Sequence, residues 1–368
     1  MAILPGRAGT PSQYGAADLG GNRHDRRGAG GLLARLARLP PAGAGETAGR
    51  CPLCHRRCHG GGIQRVQLRL QYVERSFLVE RGAGSRRHHP ACQAPAGVAV
   101  SLPAISALVV SYKTGPRLHE ALYALKSDPD ITEIILVDNG NPPADEAWID
   151  RFVAACPKAR LIREGDNPGF GTAMNRAASA ADGDLLLACN PDCVIKRGAM
   201  RPMTDALENA PRPAIVGGRI FGLDGREERG ARRNTLTLWN AIGLGRWALD
   251  GTPEPDGPVR VGAVTGAFFL IRAEDYRTLG GFDEAYFLHV EDVDLCRRAI
   301  EAGGSVTYQP KAGALHYTST SDAPRGEVQG HKADSLKRYF RKFAKTPGEK
   351  LAAALMVPLI GLAMRLRG

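Results

Sequence analysis

Residues 104–140 read AISALVVSYKTGPRLHEALYALKSDPDITEIILVDNG, two short apolar runs flanking a helical stretch. AISALVVSY is almost wholly apolar, as expected of a parallel strand buried on both faces. Pro116 opens a helix that places Leu118, Ala121, Leu122 and Leu125 on one face. ITEIILVDNG is a second strand, ending in Asp138, Asn139 and Gly140. The alternation continues with a helix around Glu146–Ala155, a strand ARLIRE, the turn GDNPGFG, a helix TAMNRAASAA and a strand DLLLACNPD. Strands and helices at this spacing predict a doubly wound α/β sheet. Ligands of such sheets gather at the carboxyl ends of the strands. Asp138, Asn167 and Asp192 fall at or just beyond strand ends, so three segments bring polar groups to one crevice. Singly, each is an ordinary turn residue; their recurrence carries the weight. Gly169 and Gly171 allow close backbone approach ahead of a helix N-terminus, a place suited to a polar or anionic ligand. The first turn, SYKTGP, lacks the dinucleotide fingerprint.

Further on, residues 280–298 read GGFDEAYFLHVEDVDLCRR. Glu291, Asp292 and Asp294 open a predicted helix among apolar Phe287, Leu288, Val290, Val293 and Leu295, and Arg297 and Arg298 follow within two turns. Adjacent carboxylates in an apolar setting repel and lose hydration, which raises the pKa of one of them. A carboxylate tuned in that way suits a general base. The plainer reading is a solvated acidic first turn, which helices favour anyway.

The formal charge of +11 is unevenly spread. Residues 1–100 hold fifteen arginines, no lysine and five acidic residues, leaving 34 basic and 33 acidic residues beyond them. That opening segment is crowded with Gly, Ala, Arg and Pro, and Ile63–Val79 is its best candidate for order. Its CPLCHRRCHG cluster offers Cys51, Cys54, Cys58 and His59 within nine residues. Zinc modules separate two ligand pairs by a longer folded loop, so one tetrahedral site here is cramped. An Arg-rich nucleic-acid arm is the other functional option. The G/C-rich codon bias of these residues instead favours an extension, residues 1–102, that is disordered or not translated in frame, and no nucleic-acid partner is expected. A main domain over 103–322 and a basic, then apolar, helical tail over 323–368 complete the expected organisation. The apolar run Leu351–Met364 is shorter than a bilayer span and is interrupted by Pro358. Such a tail suits a helix lying on an anionic membrane surface, the alternative being a terminal helix docked on the core. Cys156, Cys189, Cys193 and Cys296 read as reduced thiols.

Taken in order, VVSYK, VDNG, NPGFGTAMN, NPD, GGFDEAYFLHVEDVDLCRR and His316 resemble the family 2 glycosyltransferases, nearest the bacterial rhamnosyltransferase-like subgroup, from about Ile105 to Ser321. The resemblance implies a GT-A fold: a mostly parallel doubly wound sheet, with a C-terminal helical tail. It implies inverting transfer of a sugar, rhamnose in this subgroup, from a nucleoside diphosphate donor (dTDP-rhamnose or a UDP-sugar) to a glycan or lipid-linked acceptor. Such chemistry serves bacterial cell-surface polysaccharide synthesis at the cytoplasmic face of the plasma membrane.

By the same resemblance, Asp192 and His316 hold a divalent cation, Mg²⁺ or Mn²⁺, that bridges the donor phosphates. Asn190 stands where the family's Asp-x-Asp motif has its first carboxylate, which weakens the metal site and turns Asn190 towards the ribose or a metal-bound water. Ser111, Tyr112 and Asp138 border the nucleotide, and Asn167, Gly169, Phe170 and Gly171 lie beside its base and ribose. Asn175 is either part of this block or a structural amide. Asp292 is the catalytic base, Glu291 orients acceptor or sugar, and Asp294 caps the helix or pairs with Arg297 or Arg298. Gly266 and Ala267 floor the acceptor side. Trp239 and Trp247 stack on the acceptor or pack as satellite core. A catalytically inactive sugar-nucleotide- or glycan-binding protein of the same fold is the alternative; the Glu291–Asp292 pair argues against it and Asn190 for it.

Overall fold

The computed structural model describes residues 102–241, 245–317 and 325–365. The cysteine cluster, the Ile63–Val79 segment and the rest of the proposed extension before Leu102 lie outside them. All the elements below belong to the compact unit Gln93–Gly368.

Among the described residues eleven strands are formed: β1 (Ile105–Ser111), β2 (Glu133–Asp138), β3 (Ala159–Arg163), β4 (Leu185–Cys189), β5 (Cys193–Ile195), β6 (Ala214–Phe221), β7 (Arg232–Arg233), β8 (Val259–Arg260), β9 (Ala263–Val264), β10 (Phe268–Arg272) and β11 (Ser305–His316). The helices are α1 (Arg117–Ser127), α2 (Pro143–Ala154), α3 (Phe170–Ala180), α4 (Met200–Glu208), the short α5 (Leu238–Ala241) and α6 (Ala273–Thr278), α7 (Glu291–Glu301), α8 (Arg325–Phe343) and α9 (Pro347–Arg365). The main sheet runs β3-β2-β1-β4-β10-β6-β11-β5, with β8 added on β11. β3, β2, β1 and β4 are mutually parallel, as are β6 and β11. β10 enters antiparallel between β4 and β6, which makes the sheet mixed. β7 and β9 form a separate two-stranded ribbon.

The strands are apolar on both faces because both are covered. Ile105, Ala107 and Val109 of β1 pack with Leu118, Leu122 and Leu125 of α1, Phe152 of α2, and Met200 and Met203 of α4. The alternate residues Leu108 and Val110 pack on the other side with Ala173, Met174 and Ala177 of α3 and Val293 and Leu295 of α7. Leu336, Tyr339 and Phe340 of α8 and Ala353 and Val357 of α9 belong to that second layer. The first tail helix is therefore docked on the core, and three cations at its C-terminal end and the turn that follows are matched: Lys342 pairs with Asp283 and Asp294, Arg338 with Asp283, and Lys345 of the following turn with Glu301. A helix that buries one face gains more from docking than from its charge alone.

Strand β11 runs from Ser305 to His316. Its pairing with β6 shifts between Gln309 and Gly313, spanning Pro310, which has no N–H for the ladder. The second helix starts at Pro143, not Glu146, because proline fits the first helical turn.

Candidate active site

The register aligns Ser111 with Asp138 and Asp138 with Arg163 at the carboxyl ends of β1, β2 and β3. Asp138 is buried, and both its oxygens are engaged. Oδ1 accepts from the Asn141 side chain at 2.7 Å and from the backbone N–H groups of Gly140 and Asn141; Oδ2 accepts from Arg163 at 3.0 Å. Ser111 donates to Asn141 Oδ1 at 3.1 Å. Asp138 and Ser111 thus shape the turn after β2, and the Tyr112 ring lies beside Gly140. The Asn139 amide donates to Asn167 Oδ1 at 2.6 Å, and the same oxygen accepts from the Gly169 N–H at 3.1 Å. The VDNG and NPGFG blocks are therefore joined directly.

Gly169 has φ +93°, and a Cβ there would stand 2.6 Å from the Phe287 carbonyl, which accepts from the Phe170 N–H. Only glycine permits this approach, which seats the segment before α7 on the start of α3. Gly171 is likewise packed against Phe282. Asn175 proves to be structural: its carbonyl oxygen accepts from the Tyr276 hydroxyl and the Phe282 N–H, and its amide donates to Phe282 O and Glu284.

At the other side of the crevice, His316 Nε2 lies 3.2 Å from Asp192 Oδ1 and 3.2 Å from the Asn190 amide nitrogen. Its Nδ1 lies 2.9 Å from Glu228 Oε2, a residue with no signal in the sequence reading. Burial opposes a charge on this ring, but Asp192 and Glu228 raise its pKa to about 10. The two carboxylates that flank the ring thus favour its ionised form. Among the described residues no three His, Cys, Asp or Glu side chains converge as a ready metal site. One carboxylate and one imidazole within 3.2 Å, the imidazole held from behind by a second carboxylate, nevertheless suit a divalent ion completed by ligand oxygens and water.

The acidic helix starts on a strained turn. His289 and Val290 have φ +68° and +72°, and a left-handed β-branched residue is a true outlier. Such residues cost about 1–3 kcal/mol each and cluster at functional sites. Helix α8 holds the turn: Ser335 Oγ donates to Leu288 O at 3.0 Å, and the His331 ring lies 4.4 Å from that of Phe287. Asp292 Oδ2 accepts from Arg233 at 2.7 Å and from the Gly266 N–H at 2.9 Å; Oδ1 accepts from Val293 N–H. Burial works against its charge, but Arg233 holds the carboxyl below the usual range. The raised partner is Glu291, pushed up by burial and by the Asp292 charge, with Oε2 buried and unpartnered. Adjacent carboxylates are thus split as expected, but the raised one is Glu291 and not Asp292: Arg233 beside Asp292 keeps that carboxyl ionised, so its fitness as a base comes from being held charged and not from a raised pKa. Asp292 keeps 14% side-chain exposure, enough to touch a ligand.

Gly266 lets Asp292 close in: a Cβ there would meet Asp292 and Phe170. Ala267 is buried, and its carbonyl accepts from the Asn190 N–H, linking the acidic helix's floor to the NPD turn. Trp247 packs on the second core layer with Arg233 5.3 Å above its ring, shielding the Arg233–Asp292 pair. Trp239 is 62% exposed on α5. Asp294 is fully buried and pairs with Arg298 and Lys342, each at 2.6 Å, whereas Arg297 pairs with Glu301. The four cysteines named above are free and buried. No helix among the described residues is long and apolar enough to cross a membrane.

Comparison with known proteins extends this geometry. The sequence profile described as Glycosyl transferase family 2 matches residues 106–277. The chain is 30% identical over 253 residues to the N-acetylglucosaminyl-diphospho-decaprenol L-rhamnosyltransferase of Mycobacterium tuberculosis H37Rv, covering 61% of this chain and 80% of that protein. It is 44% identical over 222 residues to rhamnosyltransferase WbbL of Escherichia coli K12, covering 57% of this chain and 82% of that protein. Among solved structures, GalNAc-T7, crystallised with UDP, GalNAc and Mn²⁺, superposes with a TM-score of 0.54 at 18% identity, over 65% of this chain and 48% of that one. That likeness identifies the fold as GT-A.

Proposed function

Because the chain belongs to the family 2 glycosyltransferases, we propose that it transfers a sugar, rhamnose by its likeness to the two rhamnosyltransferases, from a nucleoside diphosphate to a diphosphate-linked lipid or glycan acceptor in cell-surface polysaccharide synthesis. The observation that carries this reading is Asp292, ionised by Arg233 and still open to ligand at the crevice shared by the Asn167, Asn190 and Gly266 turns. It supports an enzyme over an inactive binding protein.

In this reading the nucleotide lies over the Tyr112, Asn167 and Phe170 side of the crevice. Ser111 and Asp138 act by holding its turn, and Gly169 and Gly171 by letting the backbone close. Asp192 and His316 hold a Mg²⁺ or Mn²⁺ ion, with Asn190 beside them and Glu228 fixing the imidazole. Such an ion offsets diphosphate charge and so makes the nucleotide a better leaving group. Asp292 takes the proton from the acceptor hydroxyl as that oxygen attacks the anomeric carbon opposite the diphosphate, which inverts the configuration. Glu291, protonated, orients the acceptor or sugar by donating a hydrogen bond. Trp247 backs Arg233, and Trp239 is available to an acceptor sugar.

We assign membrane contact, on the cytoplasmic face, to the outer side of α9. There Leu351 and Leu355 are 63% and 64% exposed, opposite the buried Ala353 and Val357. Calorimetry with dTDP-, UDP- and GDP-sugars, with and without Mn²⁺, tests the donor side. Binding of one nucleotide class that Mn²⁺ strengthens and Asp192→Ala abolishes is expected; no donor binding under any condition would overturn the reading.

A further inference from the structure

We propose that α5 and α9 together form one bilayer-facing surface, with Trp239 as its aromatic anchor, and that this surface holds the mouth of the crevice against an anionic membrane. The inference deepens the membrane assignment above and rests on the family reading only for its lipid-linked acceptor. Helix α5 lies against α9. Leu238 and Ala241 of α5 pack on the same core layer as Ala353 and Val357 of α9, so both helices turn their inner sides to that layer. Trp239, Leu351 and Leu355 are left exposed. Single exposed apolar residues mean little, but three of the seven large ones among the described residues fall on these two touching helices.

Charge selects the occupant. Arg246 after α5, Arg341 on α8 and Lys350 beside Leu351 are exposed, and among the described residues none has a carboxylate at ion-pair distance. Glu349, the acidic neighbour, is spent on the backbone N–H groups of Lys345 and Thr346. An apolar face flanked by free cations suits the interface of an anionic bilayer. An indole suits the same depth, having an apolar ring and a polar N–H. A second copy of the chain would instead set these cations against their own kind, because a two-fold contact joins a patch to itself.

The anchor also fixes a distance. Trp239 follows Arg233 by six residues, so the two are at most about 20 Å apart. Arg233 in turn stands 2.7 Å from Asp292. The segment between is tied down: Asn234 N–H donates to Trp247 O at 2.8 Å, and the Tyr339 hydroxyl of α8 donates to Leu236 O. A membrane at Trp239 therefore brings Asp292 within reach of a sugar carried on a lipid, whose tail stays in the bilayer.

The test is tryptophan fluorescence of the full chain with vesicles of phosphatidylcholine, alone or mixed with phosphatidylglycerol, with and without brominated acyl chains. Brominated anionic vesicles should quench the wild type. Trp239→Phe should lose most of that quenching, because Trp148 and Trp247 pack on the core layers. Trp239→Ser should weaken partition into anionic vesicles by roughly tenfold, the loss expected when one large side chain no longer leaves water. Its melting temperature should hold. Tyr123→Ser, an exposed aromatic on α1 across the sheet, is the control and should partition like the wild type. Quenching that survives in Trp239→Phe, or unchanged partition of Trp239→Ser, would overturn the proposal. So would a blue shift of Trp239 without lipid, whether on adding soluble glycan or on raising protein concentration, which would give the residue to an acceptor sugar or to a second copy. A wild type that binds nucleotide donor but no vesicle would sink this surface and keep the family reading. Vesicle binding through Trp239 without donor binding would do the reverse.

Discussion

At the scale of single residues, the acidic helix separates chemistry from support. A general base supplies about 10²–10⁴-fold in rate, so Asp292→Asn should reduce turnover by that order while donor affinity holds. The same change removes the charge that Arg233 faces at 2.7 Å, so a lower melting temperature should accompany it. Turnover must therefore be normalised to folded protein, and near wild-type turnover would shift the role to Glu291. Asp294 differs, being fully buried between Arg298 and Lys342. Removing one partner of such a network costs about 3–5 kcal/mol. Asp294→Asn should cost stability on that scale in denaturant titration and leave turnover per folded molecule unchanged. His316 gives a pH prediction. Its folded pKa, about 10, exceeds the ordinary 6.5, so its ionised form stabilises fully below 6.5 and that contribution is lost as pH rises through 10. Without cation, the melting temperature should fall between about pH 7 and 10, and Mn²⁺ affinity should rise over the same range because binding displaces a proton. A flat affinity profile would count against His316 as a ligand.

At the scale of elements, the site depends on how the approach to α7 is seated. The turn at Gly169 donates the Phe170 N–H to the Phe287 carbonyl from one side, and α8 grips Leu288 and Phe287 from the other. Gly169→Ala should destabilise by roughly 1–3 kcal/mol, through its positive φ and the clash with Phe287. It should also slow turnover by displacing the acidic turn. Gly165→Ala, where a Cβ meets nothing, is the control and should be neutral in both thermal melts and assay. Equal effects of the two would mean that the contact between α3 and the acidic turn is unimportant.

At the scale of the whole molecule, the tail is shared between the core and the outside. α8 and the inner side of α9 complete the second core layer, while Leu351 and Leu355 remain outward. Leu351→Glu with Leu355→Glu should abolish co-sedimentation with vesicles containing anionic lipid and leave the melting temperature unchanged; undiminished sedimentation would remove α9 as the contact. The alternating apolar runs of residues 104–189 determined the parallel half of the sheet, because strands covered on both faces and helices covered on one have unlike periods. The order of the VDNG, NPGFG, NPD and EDVD blocks likewise announced a site at strand ends. Tertiary structure alone decided that β10 runs antiparallel and that α8 joins the core. It also decided which of the adjacent carboxylates is ionised. That choice belongs to Arg233, 59 residues away in the chain, as the setting of His316 belongs to Glu228, 88 residues away. Local sequence carries periodicity and turn chemistry, but the field at a buried carboxylate comes from whichever charges the fold brings near it.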